Sequence, residues 1–422
     1  PAGRCAMTKR PLEGIRVADF SWFGAGPIAG NILSFYGAEV VRVESMAKLD
    51  GLRAGQPAAL NADGSFKTGY NVSGYFNNFN AGKLSMQLNL NTEKGQEVGY
   101  RLVEKSDIFL TNFTPRVIEK WNLDYEKLAS VNPRIIAAYA PMQGMWGPHK
   151  DFLGFGAVLT PVVGISEMSG QPYQPPIGVG TNYPDYVINP THTVTAMLAA
   201  LRYRNRTGKG QCIELAQVES VVSVLGTAVA DYLATGNVQT RGGNRNPNMA
   251  PHGAFRCADD DTSTNSPDRW IVFGVHTLWP ELCAVLGHPE VATDPRFATF
   301  EARKANEDAL EVLLGEWTRP WKAEELMEAL QARGIPAGVV QNAQDILDKD
   351  PHVAQRGYYQ YLDHPETGRA AYDGVAAMLS KTPGSFRAPA PLLGEHTFDV
   401  CDRILGLSGD EIADLMAEEI LY

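Results

Sequence analysis

The sequence predicts an α/β fold built on a parallel sheet, and three observations carry that expectation. Short apolar, β-branched runs alternate with helical stretches through residues 15–140. A Gly-rich turn, "GAGP" (24–27), separates the first strand from the first helix, where α/β proteins present a helix N-terminus to anionic ligands. The chain has 422 residues, and its middle shifts to Gly-, Pro- and Met-rich loops and longer helices, so a second, smaller domain is expected.

The elements follow in order. "IRVADF" (15–20) is a short apolar run, "GPIAGNILSFYGA" (26–38) has helical spacing closed at Gly37, and "EVVRVE" (39–44) reads as a strand. After a polar loop, "KLSMQLNL" (83–90) alternates as a strand does, "TEKGQEVGYRLVEKS" (92–106) is helical and "DIFLTN" (107–112) is again a strand. A helix opens at "VIEKW" (117–121) and a strand follows at "RIIAAYA" (134–140). Parallel neighbours need such crossovers. Two apolar helices are expected over 190–204 and about 213–235, and "AEELMEALQARGIPAGVV" (323–340) reads as helix then strand. The expected large domain combines 7–220 with 335–422, and the small domain spans 221–334.

Composition excludes several functions. Net charge is −11, which leaves no broad basic surface for nucleic acid or anionic lipid. Cys5, Cys212, Cys257, Cys283 and Cys401 lie far apart, without CxxC spacing, so neither zinc nor a disulfide framework is expected. That usage fits a reducing cytoplasm. No apolar stretch of about 18 residues is evident for a membrane span. The first residues lack a signal-peptide core, and Met7 is the expected natural start.

"GAGPIA" (24–29) matches the dinucleotide fingerprint, with Glu44 at the spacing of a ribose-binding acid. Pro27, however, removes an N–H where a pyrophosphate would sit. An NAD-dependent oxidoreductase therefore stands as the weakest reading. There is no GxSxG elbow, no HExxH and no P-loop. His192 reads as structural, and His252 and His396 as partners of backbone groups.

"NYPDYVINP" (182–190) holds one carboxylate, Asp185, just before a long helix. It is either a helix cap or a group that does chemistry. Asn189–Pro190 already has the form of a cap and first helical residue, which puts Asp185 four residues early. A helix starting at Val187 would restore the capping role. In the chemical reading Asp185 is a nucleophile: it is ionised at neutral pH, needs no general base, and can carry a covalent acyl intermediate.

A wider set of stretches bears on the choice: "PLEGIRVADFSWFGAGP" (11–27), "NAGKLSMQLNL" (80–90), "SDIFLTNFTP" (106–115), "NPRIIAAYAPMQGMWGP" (132–148), "AMLAALRYRNRTGKGQCIEL" (196–215), "GNRNPNMAPHGAFRC" (243–257) and "APLLGEHT" (390–397). In this order and spacing the chain resembles the class III coenzyme A transferases, the formyl-CoA and carnitine CoA-transferase group (CaiB/BaiF). The resemblance implies a Rossmann-like large domain, a smaller middle domain and an interlocked, ring-like dimer. It implies that Asp185 attacks an acyl-CoA, passing through an aspartyl anhydride and an aspartyl-CoA thioester. CoA is then a substrate, and no tightly bound cofactor or metal is expected. Trp22, Phe23, Gly24, Lys83, Asn112, Phe113 and Lys120 are the implied CoA contacts, with Ser45 standing where a basic residue is frequent. Gly242 and Gly243 of "RGGN" are the candidates for the glycine-rich loop that the resemblance implies near the site.

The same fold carries acyl-CoA racemases, whose added histidine would fall where this chain has Phe155 and Gly156. Proton exchange wants two acid–base groups, so the racemase reading is disfavoured. A supporting subunit of a heteromer with a paralogous chain is a further alternative to a homodimer. The resemblance brings Trp22, Phe23, Trp146 and Tyr183 to the site, and aromatic walls favour a bulky acid. The expectation is a dicarboxylic or arylalkyl acid with succinyl-CoA as donor, as in benzylsuccinate-type transferases.

Overall fold

The computed structural model describes residues 9–55, 58–180, 183–258 and 268–422. Met7 and most of the polar insert 258–268 lie outside the described residues. The chain divides into two compact units, one of residues 1–166, 178–239 and 358–422, the other of 167–177 and 240–357.

The first unit contains the parallel sheet. Its strands are β1 (Arg16–Asp19), β2 (Glu39–Glu44), β3 (Leu84–Gln87), β4 (Ile108–Thr111), β5 (Ile136–Tyr139) and β6 (Gln211–Glu214), in the order β3-β2-β1-β4-β5-β6. Every pairing is parallel, and Val17 faces Val40 on one side and Ile108 on the other. The order reverses between β1 and β4, which opens the crevice where such sheets bind ligands.

Between the strands run α1 (Ala25–Phe35), α2 (Gly74–Phe79), α3 (Glu93–Glu104), α4 (Pro115–Lys120) and α5 (Tyr125–Val131). Thr92 caps α3 by accepting from the Gly95 N–H, and Asp124 caps α5 from the Lys127 N–H. After β5 come α6 (Gly156–Val162), α7 (Ile165–Met168) and the long α8 (Asn189–Thr207).

Strand side chains alternate between two buried layers. Val17, Val40, Ile108, Leu110 and Ile136 pack under Ala29 and Leu33 of α1 and Val194, Met197 and Leu201 of α8. Ala18, Val41, Met86, Phe109 and Tyr139 pack against Val98 and Leu102 of α3, Leu128 of α5, and Val400, Ile404 and Ile412 near the C-terminus. The chain end is tied in by backbone bonds as well, since the Asn89 N–H donates to Ile420 O at 2.9 Å.

The strand positions expected from sequence hold to within a few residues, but the unit boundaries differ from expectation. A strand at Ala337–Val339 pairs with Trp270–Gly274, which itself pairs with His252–Arg256. This antiparallel sheet and its core of Phe255, Ile271, Phe273, Trp279, Leu314 and Leu326 keep the second unit intact to residue 357, not 334. At the other end the helical run Gln217–Thr235 stays with the first unit. That run is long and apolar enough to cross a membrane by length and composition, contrary to the expectation that no such stretch exists. Most of it is exposed, including Leu233 at 77%.

Leu110 is fully buried in a central strand. Leu110→Ala is expected to cost about 2–5 kcal/mol through lost burial and a residual cavity. Thermal unfolding followed by circular dichroism checks this, and an unchanged midpoint would contradict the packing described.

Candidate active site

The site grows from the turn after β1. Asp19, Arg42, Glu44, Asp50, Arg53 and Lys83 are all buried, three anions against three cations. Asp19 accepts from the Ser21 N–H at 3.0 Å and from Lys83 Nζ at 2.8 Å. Arg42 donates to Ser21 O at 2.9 Å and pairs with Asp50. Asp50 accepts from the Phe23 N–H at 3.1 Å. Arg53 grips both oxygens of Glu44 at 2.6 Å and lies 3.8 Å over the Phe76 ring. A charge in low dielectric needs such partners.

The network sets the backbone above it. Asn112 clamps Trp22 from both sides, accepting from its N–H at 2.9 Å and donating to its carbonyl at 2.8 Å. Phe23 adopts φ of +60°, a left-handed conformation uncommon outside glycine. Gly24 follows, and a Cβ there would meet the Asp185 Cβ at 3.1 Å. Strain of this kind persists only where the surroundings over-determine it.

Asp185 is 6% exposed. It lies in a π-helical segment, Tyr183–Ile188, that runs directly into α8. This corrects the capping argument. Asn189 is inside the helix, and its side chain is taken up by Gln217 at 3.1 Å and Ser220. Asp185 Oδ2 accepts from the Gly156 N–H at 2.9 Å, at the start of α6. The first turn of a helix has N–H groups without intrahelical partners and carries partial positive charge, so it favours the carboxylate.

A cavity of about 350 Å³ opens on Asp185 and is lined by Trp22, Phe23, Gly24, Asn112, Phe113, Phe155 and Gln217, with Lys48 and Arg116. A second cavity of about 200 Å³ shares Trp22, Lys48 and Phe113 and adds Phe20, Ser45, Leu88, Lys120 and Trp121. Trp22, Phe113 and Trp121 form an edge-to-face series at 5.0 and 5.1 Å. The Lys48 ammonium stands 5.8 Å from the Trp22 ring.

Of the predicted residues, Asp185, Trp22, Phe23, Gly24, Asn112 and Phe113 thus meet around the first cavity, while Lys120 lines the second, which shares Trp22 and Phe113 with it. Lys83 does not join them. It is 2% exposed and held by Asp19 and by Pro27 O, at 2.8 Å each, so it fixes α1 to the sheet instead of reaching toward a phosphate. Burial pulls its amine down to about 8, against the opposing pull of Asp19. Trp146 is 76% exposed and donates its indole N–H to Glu214 at 3.0 Å. Tyr183 begins the π-helical segment and is absent from both cavity linings. Gly242 and Gly243 belong to the second unit, where the Gly243 N–H donates to Gly170 O at 3.0 Å. Lys48, Arg116 and the Gly156 amide were missed. Lys48 follows the second strand three residues beyond Ser45, a signal present in the sequence, whereas a backbone amide gives none.

Glu44 cannot serve a ribose while Arg53 and Ser85 hold it, which removes the structural support for NAD. Among the described residues no histidine lines the cavity at Asp185, and no His/Cys/Asp/Glu group suits a metal. His252 and His396 do meet backbone groups, Asn244 O and the Ser85 N–H. His192 is exposed on α8.

Residues 12–397 match CoA-transferase family III, and the chain belongs to that family. It is 32% identical to succinyl-CoA–D-citramalate CoA-transferase of Chloroflexus aurantiacus, covering 98% of each chain. It is 31% identical to succinate–glutarate CoA-transferase of Agrobacterium fabrum, covering 93% of this chain and 95% of the relative. Among solved structures, a CaiB/BaiF family protein from Brucella suis superposes with a TM-score of 0.82 at 30% identity, over 94% of this chain and all of the other. The protein is therefore a CoA-transferase of the CaiB/BaiF type.

Two expectations follow from the geometry. Gly24→Ala brings a methyl group to 3.1 Å from the Asp185 Cβ. It should lower kcat about tenfold through displacement of the Asp185 side chain, with little change in thermal midpoint; an unchanged kcat would contradict the tight contact. The second concerns Glu44. Burial raises its carboxyl, but Arg53 and Arg42 more than reverse this and hold it below its ordinary value of 4.5. A depressed carboxyl contributes stability above the unfolded value and loses it as pH falls through the folded one. Glu44→Gln should cost about 3 kcal/mol near neutral pH by breaking a buried pair. The gap to wild type should narrow below about pH 4.5, as measured by thermal midpoints across pH; a constant gap would contradict it.

Proposed function

We propose that the protein moves CoA from succinyl-CoA to an aliphatic dicarboxylic acid, with Asp185 as the covalent relay. The observation that carries this reading is the buried Asp185 carboxylate, open to the cavity and held by the N-terminus of α6. Asp185 attacks the thioester carbonyl carbon, the C–S bond breaks, CoA leaves as thiolate, and a mixed anhydride remains. The thiolate attacks the aspartyl carbonyl, releases succinate and leaves an aspartyl-CoA thioester. The acceptor carboxylate then attacks that carbonyl, freeing the thiolate and forming a new anhydride. Thiolate attack on the acceptor's carbonyl gives the product thioester and restores Asp185.

Each step develops an oxyanion, and two of them develop it on the Asp185 carbonyl. The Gly156 N–H, already 2.9 Å from Oδ2, is the fixed donor for that charge. The aromatic series and Lys48, Arg116 and Lys120 suit the adenine and phosphates of CoA, by stacking and charge. Succinyl-CoA and dicarboxylate partners are supported by the names of relatives acting on citramalate, glutarate and mesaconate.

We also hold that two chains assemble. The exposed apolar residues of Gln217–Thr235 fit a second copy or a paralogous chain, and one relative is named as a β subunit. The interlocked arrangement is part of this reading.

Asp185→Ala should reduce transfer to background in an assay of CoA exchange between succinyl-CoA and dicarboxylates. Hydroxylamine should inactivate the wild type only when acyl-CoA is present, with a hydroxamate at Asp185 detected by peptide mass spectrometry. Full activity in the alanine variant would overturn the relay.

A further inference from the structure

The cavity at Asp185 has an aromatic wall with an unusual support. Phe23 and Phe155 face each other with ring centroids 6.1 Å apart and planes within 11° of parallel. Both rings line the cavity and are 42% and 51% exposed. A third flat ring between them would need about 7 Å, two separations of about 3.5 Å each. The rings therefore meet each other, leaving no slot for an aromatic guest.

The wall is built into the backbone on both sides. The Phe23 N–H is fixed by Asp50, itself paired with Arg42, while its φ of +60° sets the direction of the side chain. Its ring rests on Gly51, where any Cβ would come within 3.1 Å of the ring atoms. Phe155 is extended at the start of α6, one residue before the amide that holds Asp185. The backbone under each ring is thus fixed beside the two residues that pack on Asp185, Gly24 and Gly156.

We propose that Phe23 and Phe155 are specificity-determining residues: together they close the acyl end of the cavity to aryl groups and admit slim aliphatic chains. The inference rests on the CoA reading of the site and goes against the arylalkyl acid expected from the sequence. Asp50 acts as a positioning residue, through the Phe23 backbone.

The test uses two unreactive thioethers, S-propyl-CoA and S-(2-phenylethyl)-CoA, with affinities measured by calorimetry on the full chain. Wild type should favour the propyl compound by about tenfold or more. Phe23→Gly removes the ring while accepting the left-handed backbone without strain, and Phe155→Leu removes the other ring in an extended conformation. Each variant should bring the two affinities within about threefold of each other. Equal binding of the two compounds by wild type, or a ratio that survives both substitutions, would overturn the wall alone. Failure of both thioethers and of CoA itself to bind would overturn the CoA reading, and the wall with it.

Discussion

Six buried charges under the turn after β1 constrain nearly everything above them. Asp19, Glu44 and Asp50 are balanced by Arg42, Arg53 and Lys83, and each pair ties a different stretch to the sheet. Buried ion pairs add little net stability against apolar substitutes, but losing one partner strands the other. The network thus acts chiefly on geometry. It fixes the path of residues 20–24, and that path places Gly24 against Asp185 and Phe23 beside Phe155. Gly30 shows how closely the parts fit: a Cβ there would lie 3.1 Å from Asp19 Oδ2 and 3.2 Å from Lys83 Nζ.

The Asp185 carboxylate itself is held by backbone. A side-chain donor has rotamer freedom, whereas the Gly156 N–H is fixed by the start of α6 and meets Oδ2 without reorganisation. Such a fixed donor is worth most where water is excluded. The π-helical turn before α8 contributes the other half, because i→i+5 bonding re-aims side chains and recurs at functional sites.

Much of this was legible in the sequence. The alternation of apolar runs gave the strands of the parallel sheet, since a strand buried on both faces is nearly continuous in Val, Ile and Ala. Asp185 stood out because Asn189–Pro190 already had the form of a helix start, which left the acid between Pro184 and Tyr186 four residues too early to cap it. Lys83 misled because a lysine after Gly82 looks like any surface cation until its burial against Asp19 is known. Asn189–Pro190 misled for a similar reason: the pair has the composition of a cap, but its asparagine bonds Gln217 and Ser220, residues 28 and 31 positions away.

What the sequence by itself determined was the class: a parallel sheet, a turn rich in glycine, a carboxylate set just before a long helix and the family's chain-long pattern. These depend on period, composition and local spacing, which a linear string records. The tertiary structure decided which polar groups face the cavity and which are consumed inside. It turned Lys83 inward, brought Lys48 and Arg116 to the rim, and put a backbone amide on Asp185. It also set two rings 6.1 Å apart from positions 23 and 155. Those outcomes arise from long-range pairing and from the desolvation of charge, and neither leaves a local trace in the chain.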